Sequence, residues 1–182
     1  MAIPTISTDR LILRPLTRAD ALDLYAYAQD EQVARSGMWE PFASQSECTE
    51  YVARLVADYE RGLMWWALEH RADGRVVGRV QLSDWTRGDA RAELSYALHR
   101  SYWGQGLMTE TVAPAVAYGW HELELHRLGA VVLPYNTASI RILERLGMRR
   151  EGTLRHHRRL WGEWVDVDVY AVLKDDEITP KA

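Results

Sequence analysis

The stretch from Tyr96 to Glu110, Tyr-Ala-Leu-His-Arg-Ser-Tyr-Trp-Gly-Gln-Gly-Leu-Met-Thr-Glu, joins an alternating apolar run to one with helical spacing. Between them stand Gly104 and Gly106, which lack Cβ and so allow unusual backbone angles and close approach by another group. Amides at a helix N-terminus have no acceptor within the helix and attract anions, phosphates above all. The physical reading is a phosphate cradle at a strand-to-helix junction. Taken alone, a Gly-x-Gly is read equally well as a tight turn.

The flanking chain alternates element types. Arg10 to Leu16 alternates and ends at a proline, which predicts a strand. Thr17 caps a predicted helix over Arg18 to Ala28, with Asp20 in its first turn and Leu22, Tyr25 and Ala26 facing inward. Gln29 to Phe42, with Gly37 and Pro41, reads as a short helix and a loop. Ser44 or Ser46 caps a helix over Glu47 to Arg61, where Tyr51, Leu55 and Tyr59 share one face beside Val52 and Val56. Gly62 closes it.

Leu63 to Glu69 and Val76 to Leu82 read as strands joined by a hairpin centred on Asp73-Gly74. Ser83 to Asp89 reads as a loop holding Trp85. Ala90 to Leu98 is the fourth strand, with Ala92, Leu94, Tyr96 and Leu98 on one side. After the glycine loop a helix runs to about Leu123, with a stripe of Val112, Ala115, Val116 and Gly119. Pro114 inside it removes a hydrogen bond, so the helix either starts near Glu110 or bends.

Leu128 to Leu133 is the fifth strand, and Asn136 or Thr137 caps a helix over Ala138 to Leu146. Met148 to Arg155 and Trp164 to Leu173 complete the strands. Asp175 to Ala182 reads as a polar tail. Pattern alone yields an α+β chain with a mixed sheet.

The glycine loop resembles the acetyl-CoA loop of the GNAT N-acetyltransferases, Arg/Gln-x-x-Gly-x-Gly/Ala. That register falls on Trp103, Gly104, Gln105, Gly106, Leu107 and Met108, with Trp103 in the Arg/Gln place and Met108 in the last small one. Tyr-Trp-Gly-Gln-Gly followed by Thr-Glu resembles the RimJ/RimL-like ribosomal-protein N-acetyltransferase branch. So do Asp9-Arg10-Leu11 and Arg14-Pro15-Leu16. The resemblance spans about Thr8 to Leu173.

It implies one N-acetyltransferase domain of GNAT fold, an α+β architecture. The sheet would be mixed, mostly antiparallel and seven-stranded, flanked by helices, with its fourth and fifth strands splayed. It also implies acetyl-CoA as cosubstrate, direct acetyl transfer to a primary amine, and no metal.

The resemblance further implies site roles. Backbone of Tyr96, Ala97 and Leu98 would run along the pantetheine arm, with the Leu98 amide as oxyanion donor. The strand containing Leu98 would part from the one containing Val131 to admit the acyl chain. Amides of Gly104, Gln105, Gly106, Leu107, Met108 and Thr109 would hold the pyrophosphate.

Asn136 would hold the pantetheine amide, and Ser139 would protonate the leaving thiolate. Asn136 and Ser139 read equally as a helix cap. Many GNAT enzymes carry a tyrosine seven residues after the asparagine, where this chain has Leu143. Glu93 is the candidate base, drawing a proton from the ammonium through water. It reads at least as readily as a solvent-facing strand residue. A glutamate used elsewhere in the superfamily falls on Val131, which closes that route.

The acceptor side would come from Met38 to Phe42, the Trp85 loop and the hairpin near Trp161, with Trp39 and Trp85 as candidate walls. The acceptor would be a protein N-terminal amine, as the branch name suggests, or a small amine, amino acid or antibiotic. A CoA-binding module without turnover is the alternative from another class.

Composition narrows the partners. Of 182 residues 47% are hydrophobic, enough for a core. A net charge of −4 argues against general nucleic-acid affinity. No apolar run is long enough for a bilayer, and the N-terminal residues do not read as a secretory signal. The single cysteine, Cys48, cannot form an internal disulfide and suits a reducing cytoplasm. The histidines lack ligand spacing for a metal.

The basic run Arg155 to Arg159 reads as a solvated loop or edge strand. A docking site for an anionic partner or the CoA phosphates is the sharper alternative. Eight tryptophans spread along the chain read mostly as core or interface packing, which is compatible with a homodimer.

Overall fold

The computed structural model describes residues 3–59 and 62–176. Its elements in order are β1 (Ile6–Ser7), β2 (Leu11–Pro15), α1 (Ala21–Ala28), α2 (Glu31–Gly37), α3 (Gln45–Asp58), β3 (Met64–His70), β4 (Arg75–Thr86) and β5 (Arg91–Leu98). They continue with α4 (Leu107–His121), β6 (Arg127–Val132), α5 (Thr137–Arg145), β7 (Arg149–Leu160) and β8 (Glu163–Leu173). Short 3₁₀ turns cover Arg18–Asp20 and Arg100–Tyr102. The expected end of the third helix at Arg61, and residues 177–182 of the polar tail, lie outside the described residues.

The strands form one mixed sheet in the order β1-β2-β3-β4-β5-β6-β8-β7. It has eight strands, not the seven expected. The addition is β1, whose two residues pair with Leu13 and Ile12 of β2. Two residues are too few for an alternation to register in the sequence. β5 and β6 run parallel, pairing Arg91, Ala92 and Glu93 with Arg127, Leu128 and Gly129. Among the described residues the ladder stops there, while β5 continues to Leu98 and β6 to Val132. The two strands part as expected.

The chain gathers into two compact units, Met1–Gln81 with Tyr96–Pro114, and Leu82–Ser95 with Ala115–Ala182. In the first, Leu16, Leu24, Tyr27, Val33, Cys48, Val52, Trp65 and Ala97 belong to one buried cluster. Thr17 opens the entry to α1: its amide and hydroxyl both donate to the Asp20 carboxylate, at 2.7 and 2.9 Å.

The fully buried face of α1 is Ala21, Leu24, Tyr27 and Ala28. Tyr25 packs, partly buried, against the same cluster as expected, whereas Leu22 is exposed. Leu22 stands about 100° round the helix from Ala21, off the buried stripe. Ser44 caps α3 by accepting from the Glu47 amide at 3.2 Å. Cys48 is fully buried, and burial pushes its thiol up to about 11.

In the second unit, α4 packs on the sheet through small residues. A Cβ on Gly119 would lie 3.0 Å from the Leu125 side chain and 3.4 Å from that of Leu82. β7 and β8 form a long hairpin, with register shifts between Arg150 and Gly152 and between Leu154 and Arg158.

Three sequence boundaries change. β4 runs on to Thr86, so Trp85 lies on a strand and not in a loop. β7 runs on to Leu160, so Arg155 to Arg159 form an exposed stretch of the sheet's terminal strand. α4 starts at Leu107, which leaves Pro114 inside it.

Candidate active site

The glycine loop has the backbone that a cradle requires. Gly104 and Gly106 both have positive φ, 74° and 77°. That region is sterically costly for residues with a Cβ. α4 begins directly after Gly106, so the amides of Leu107, Met108 and Thr109 open its first turn without carbonyl partners in the helix. The Glu110 amide already bonds the Gly106 carbonyl at 3.1 Å.

The loop is open where a diphosphate would enter. A Cβ on Gly104 would meet nothing within 4 Å, and one on Gly106 only the Arg10 guanidinium at 3.7 Å. Met108, which replaces a small residue of the loop pattern, is buried. Its bulk is housed in the protein interior. These residues fit a pyrophosphate.

Several contacts brace this loop. Arg10 donates to the Gln105 carbonyl at 2.9 Å and to Glu110 through both its backbone and its guanidinium, at 2.9 and 2.8 Å. Thr8 also donates to Glu110, at 2.5 Å. Desolvation raises the Glu110 carboxyl, but the bonds from Thr8 and Arg10 outweigh it and hold the group below the usual range. Trp103 donates its indole N–H to the Leu98 carbonyl at 2.7 Å, tying the loop to the end of β5. Tyr102 donates to Asp73 at 2.5 Å, which also contacts His70 at 2.7 Å.

Within the second unit, Asn136 caps α5. Its side-chain oxygen accepts from the Ser139 amide at 3.1 Å. Both residues are half-buried, and Leu143 is fully buried. Glu93 pairs across β5 and β6 with Gly129 at the last rung of the parallel ladder. Arg127 bonds Glu151 at 2.8 and 2.5 Å, and this bonding holds its guanidinium more firmly protonated, with the nearby charge of Glu93 adding to the effect.

The family model described as an acetyltransferase (GNAT) domain matches residues 10–149. The chain belongs to the GNAT acetyltransferase family. A Bacillus subtilis relative, the uncharacterized N-acetyltransferase YoaA, is 32% identical over 96% of this chain and 99% of its own. The [ribosomal protein uS5]-alanine N-acetyltransferase of Escherichia coli is 28% identical over 96% of this chain and 93% of its own. Among solved structures, a GNAT-family acetyltransferase from Bacillus anthracis superposes with a TM-score of 0.82 at 25% identity, covering 93% of this chain and 98% of that one.

This GNAT acetyltransferase is thus an N-acetyltransferase with RimJ-like relatives, and enzymes of its family use acetyl-CoA. No group of histidines, cysteines and carboxylates that could hold a metal occurs among the described residues. None of its described helices is long and apolar enough to cross a membrane.

The tryptophans named as acceptor walls have distinct settings. Trp39 donates to the Ala28 carbonyl at 3.1 Å and packs on the core of the first unit. In the second unit Trp85 carries the Arg87 guanidinium 5.3 Å from its ring centroid, and its buried indole N–H has no partner among the described residues. The Arg10–Glu110 bracket and the Trp103–Leu98 bond were not read from the sequence. Spacing signals cannot pair residues a hundred positions apart. The traces were the branch resemblances, Asp9-Arg10-Leu11 for Arg10 and Tyr-Trp-Gly-Gln-Gly with Thr-Glu for Trp103 and Glu110.

Proposed function

We propose that this acetyltransferase moves the acetyl group of acetyl-CoA directly to a primary amine, with a protein N-terminal amine as the leading acceptor. The observation carrying this reading is the open double-glycine turn, both residues at positive φ, leading straight into the first turn of α4. The uS5-alanine enzyme among its relatives supports an N-terminal acceptor.

In this reading amides of Gly104 to Thr109 hold the diphosphate, and Tyr96, Ala97 and Leu98 lie along the pantetheine. Asn136 orients the same arm. Glu93 takes a proton from the ammonium through water, which frees the lone pair that attacks the thioester carbonyl. The Leu98 amide steadies the oxyanion, the carbon–sulfur bond breaks, and Ser139 delivers a proton to the thiolate. A cytoplasmic setting fits a chain whose single cysteine is unpaired and buried.

Two measurements test this. Gly106→Trp fills the turn and should abolish acetyl-CoA binding by calorimetry, and unchanged affinity removes the cradle. Thiol release should then be followed across acceptor amines, including short peptides of different N-termini. Leu143, buried where many relatives of the superfamily carry a proton-donating tyrosine, favours the second reading, a CoA-binding module without turnover. CoA binding with no release on any acceptor would decide for that module.

A further inference from the structure

In the first unit the opening of α4 carries a charge of the wrong sign for a diphosphate. Glu110 stands in the helix's first turn, where a carboxylate is favoured by the helix dipole. The same carboxylate repels an anion held by the amides just ahead of it. Protonation does not remove the charge, because the bonds from Thr8 and Arg10 outweigh desolvation and hold the carboxyl below its usual range. The Glu110 side chain is only 19% exposed, so solvent and salt screen it poorly.

One cation answers that charge. Arg10 immediately precedes β2, and its Nη2 lies 2.8 Å from Glu110 Oε2. Nη2 is also the atom that a Cβ on Gly106 would meet, 3.7 Å away. The guanidinium therefore adjoins both the carboxylate and the glycine turn. Its Nε donates to Glu110 at 2.8 Å and its Nη1 to the Gln105 carbonyl at 2.9 Å, so all three nitrogens are engaged and its plane is fixed.

The bond to Gln105 has a second effect. No peptide bond of the described residues is cis, and in a trans peptide the carbonyl and the next N–H point in opposite directions. A Gln105 carbonyl turned to Arg10 leaves the Gly106 amide facing away from it. The Arg10 side chain is 46% exposed, and an ion pair with so exposed a partner adds little to stability. Its larger consequence is at the loop.

We propose that Arg10 is a positioning residue for acetyl-CoA, cancelling the Glu110 charge beside the diphosphate and fixing the direction of the Gly106 amide. This rests on the cradle reading and deepens it. Arg10 acts through Glu110 and Gln105 and needs no contact with the coenzyme.

A brace and a charge canceller predict opposite results when both partners are changed. The test is acetyl-CoA affinity, by calorimetry, of the parent protein, Arg10→Gln, Glu110→Gln and the double variant. Glutamine at 110 keeps an oxygen for the Thr8 hydroxyl and the Arg10 amide, both of which donate to Oε1, so the substitution removes charge and little else. Arg10→Gln should weaken binding about ten- to a hundredfold, the scale of one uncancelled charge close to a diphosphate. Adding Glu110→Gln should return most of that loss, although the double variant is the least braced of the four. Arg10→Lys keeps the charge without the fork and should fall between the parent and Arg10→Gln. Added salt should shrink the Arg10→Gln deficit.

A double variant that binds no better than Arg10→Gln overturns the charge role. Parental affinity in Arg10→Gln overturns the inference while leaving the cradle standing. Absence of binding to the parent protein sinks the cradle reading and the inference with it. If Arg10→Gln does not fold, Glu110→Gln decides alone. It leaves the Arg10 cation uncancelled and should bind about two- to tenfold more tightly, and equal or weaker binding refutes the proposal.

Discussion

A methyl group at position 78 has nowhere to go. The obstructing atoms, the Ala97 carbonyl oxygen and Leu98 Cα, are backbone and cannot rotate away. Gly78→Ala should therefore force β4 from β5 at the stretch proposed to line the pantetheine. Overpacking of this kind costs about 1–3 kcal/mol. Urea denaturation should show that loss, and calorimetry a weaker grip on acetyl-CoA. Gly104→Ala makes the informative contrast, because open space surrounds it and its φ of 74° supplies the whole penalty. That change should cost roughly 1–2 kcal/mol, the price of left-handed backbone for an L-residue. Equal effects of both substitutions on stability, with affinity untouched by Gly78→Ala, would mean that the end of β5 yields.

Among elements, α4 links the glycine loop to the second unit's core and contains its own fault. Pro114 removes the N–H that would reach the Glu110 carbonyl, and the boundary between the two units falls directly after it. A proline within a helix costs about 3 kcal/mol, while its rigidity in the unfolded chain returns up to about 1. Pro114→Ala should thus raise stability by roughly 2 kcal/mol, read as a higher Tm; a lower Tm would mean that the helix depends on a bend there.

The elements also separate what the sequence can announce from what it cannot. Helices with caps and stripes, α3 and α5 above all, were legible, because Ser44 and Asn136 act locally on amides three residues on. The ends of β4 and β7 were not. Strand length depends on a neighbouring strand: Arg158 and Arg159 stay in β7 by pairing with Val165 and Trp164, while Arg155 to His157 sit in the register shift between Leu154 and Arg158. In α1 it was Leu22 that misled: its side chain is apolar, yet the buried positions are Ala21 and Leu24 on either side of it. At the candidate site, the backbone of the loop was readable from glycine placement, since Gly104 and Gly106 both take positive φ. The braces from Arg10, Trp103 and Asp73 join distant positions, and they emerge only once the chain has folded.

Acid should act on the whole molecule in two stages. His99 is held below its ordinary value of 6.5, chiefly because burial disfavours its cation and then because Arg75 repels it. Its Nδ1 accepts from the Ser101 amide at 3.1 Å, a bond that protonation at that atom abolishes. With a depressed folded value, the native state binds fewer protons than the unfolded one. The associated stability is complete above 6.5 and is lost as pH falls through the folded value. The first loss should be local, loosening the turn that leads to Gly104, so acetyl-CoA affinity should weaken below pH 6.5 before the protein unfolds.

The second stage belongs to carboxylates in both units. Asp20 is raised by desolvation, but bonds from Arg14 and Thr17 outweigh this and hold it below 3.8. Glu151 and Asp168 are held low by Arg127 and Arg150. Their stabilisation is present above the ordinary carboxylate range and disappears as pH drops through the depressed folded values. Asp20→Asn should cost roughly 2–3 kcal/mol at neutral pH, as expected for losing charged hydrogen bonds in a mostly buried site, and should flatten the acid limb of stability. His99→Asn keeps a side-chain acceptor that does not titrate in this range. It should leave that limb alone while removing the pH dependence of affinity between 6.5 and the unfolding transition. An affinity profile identical to that of the parent protein would detach His99 from the loop and assign the first stage to another group.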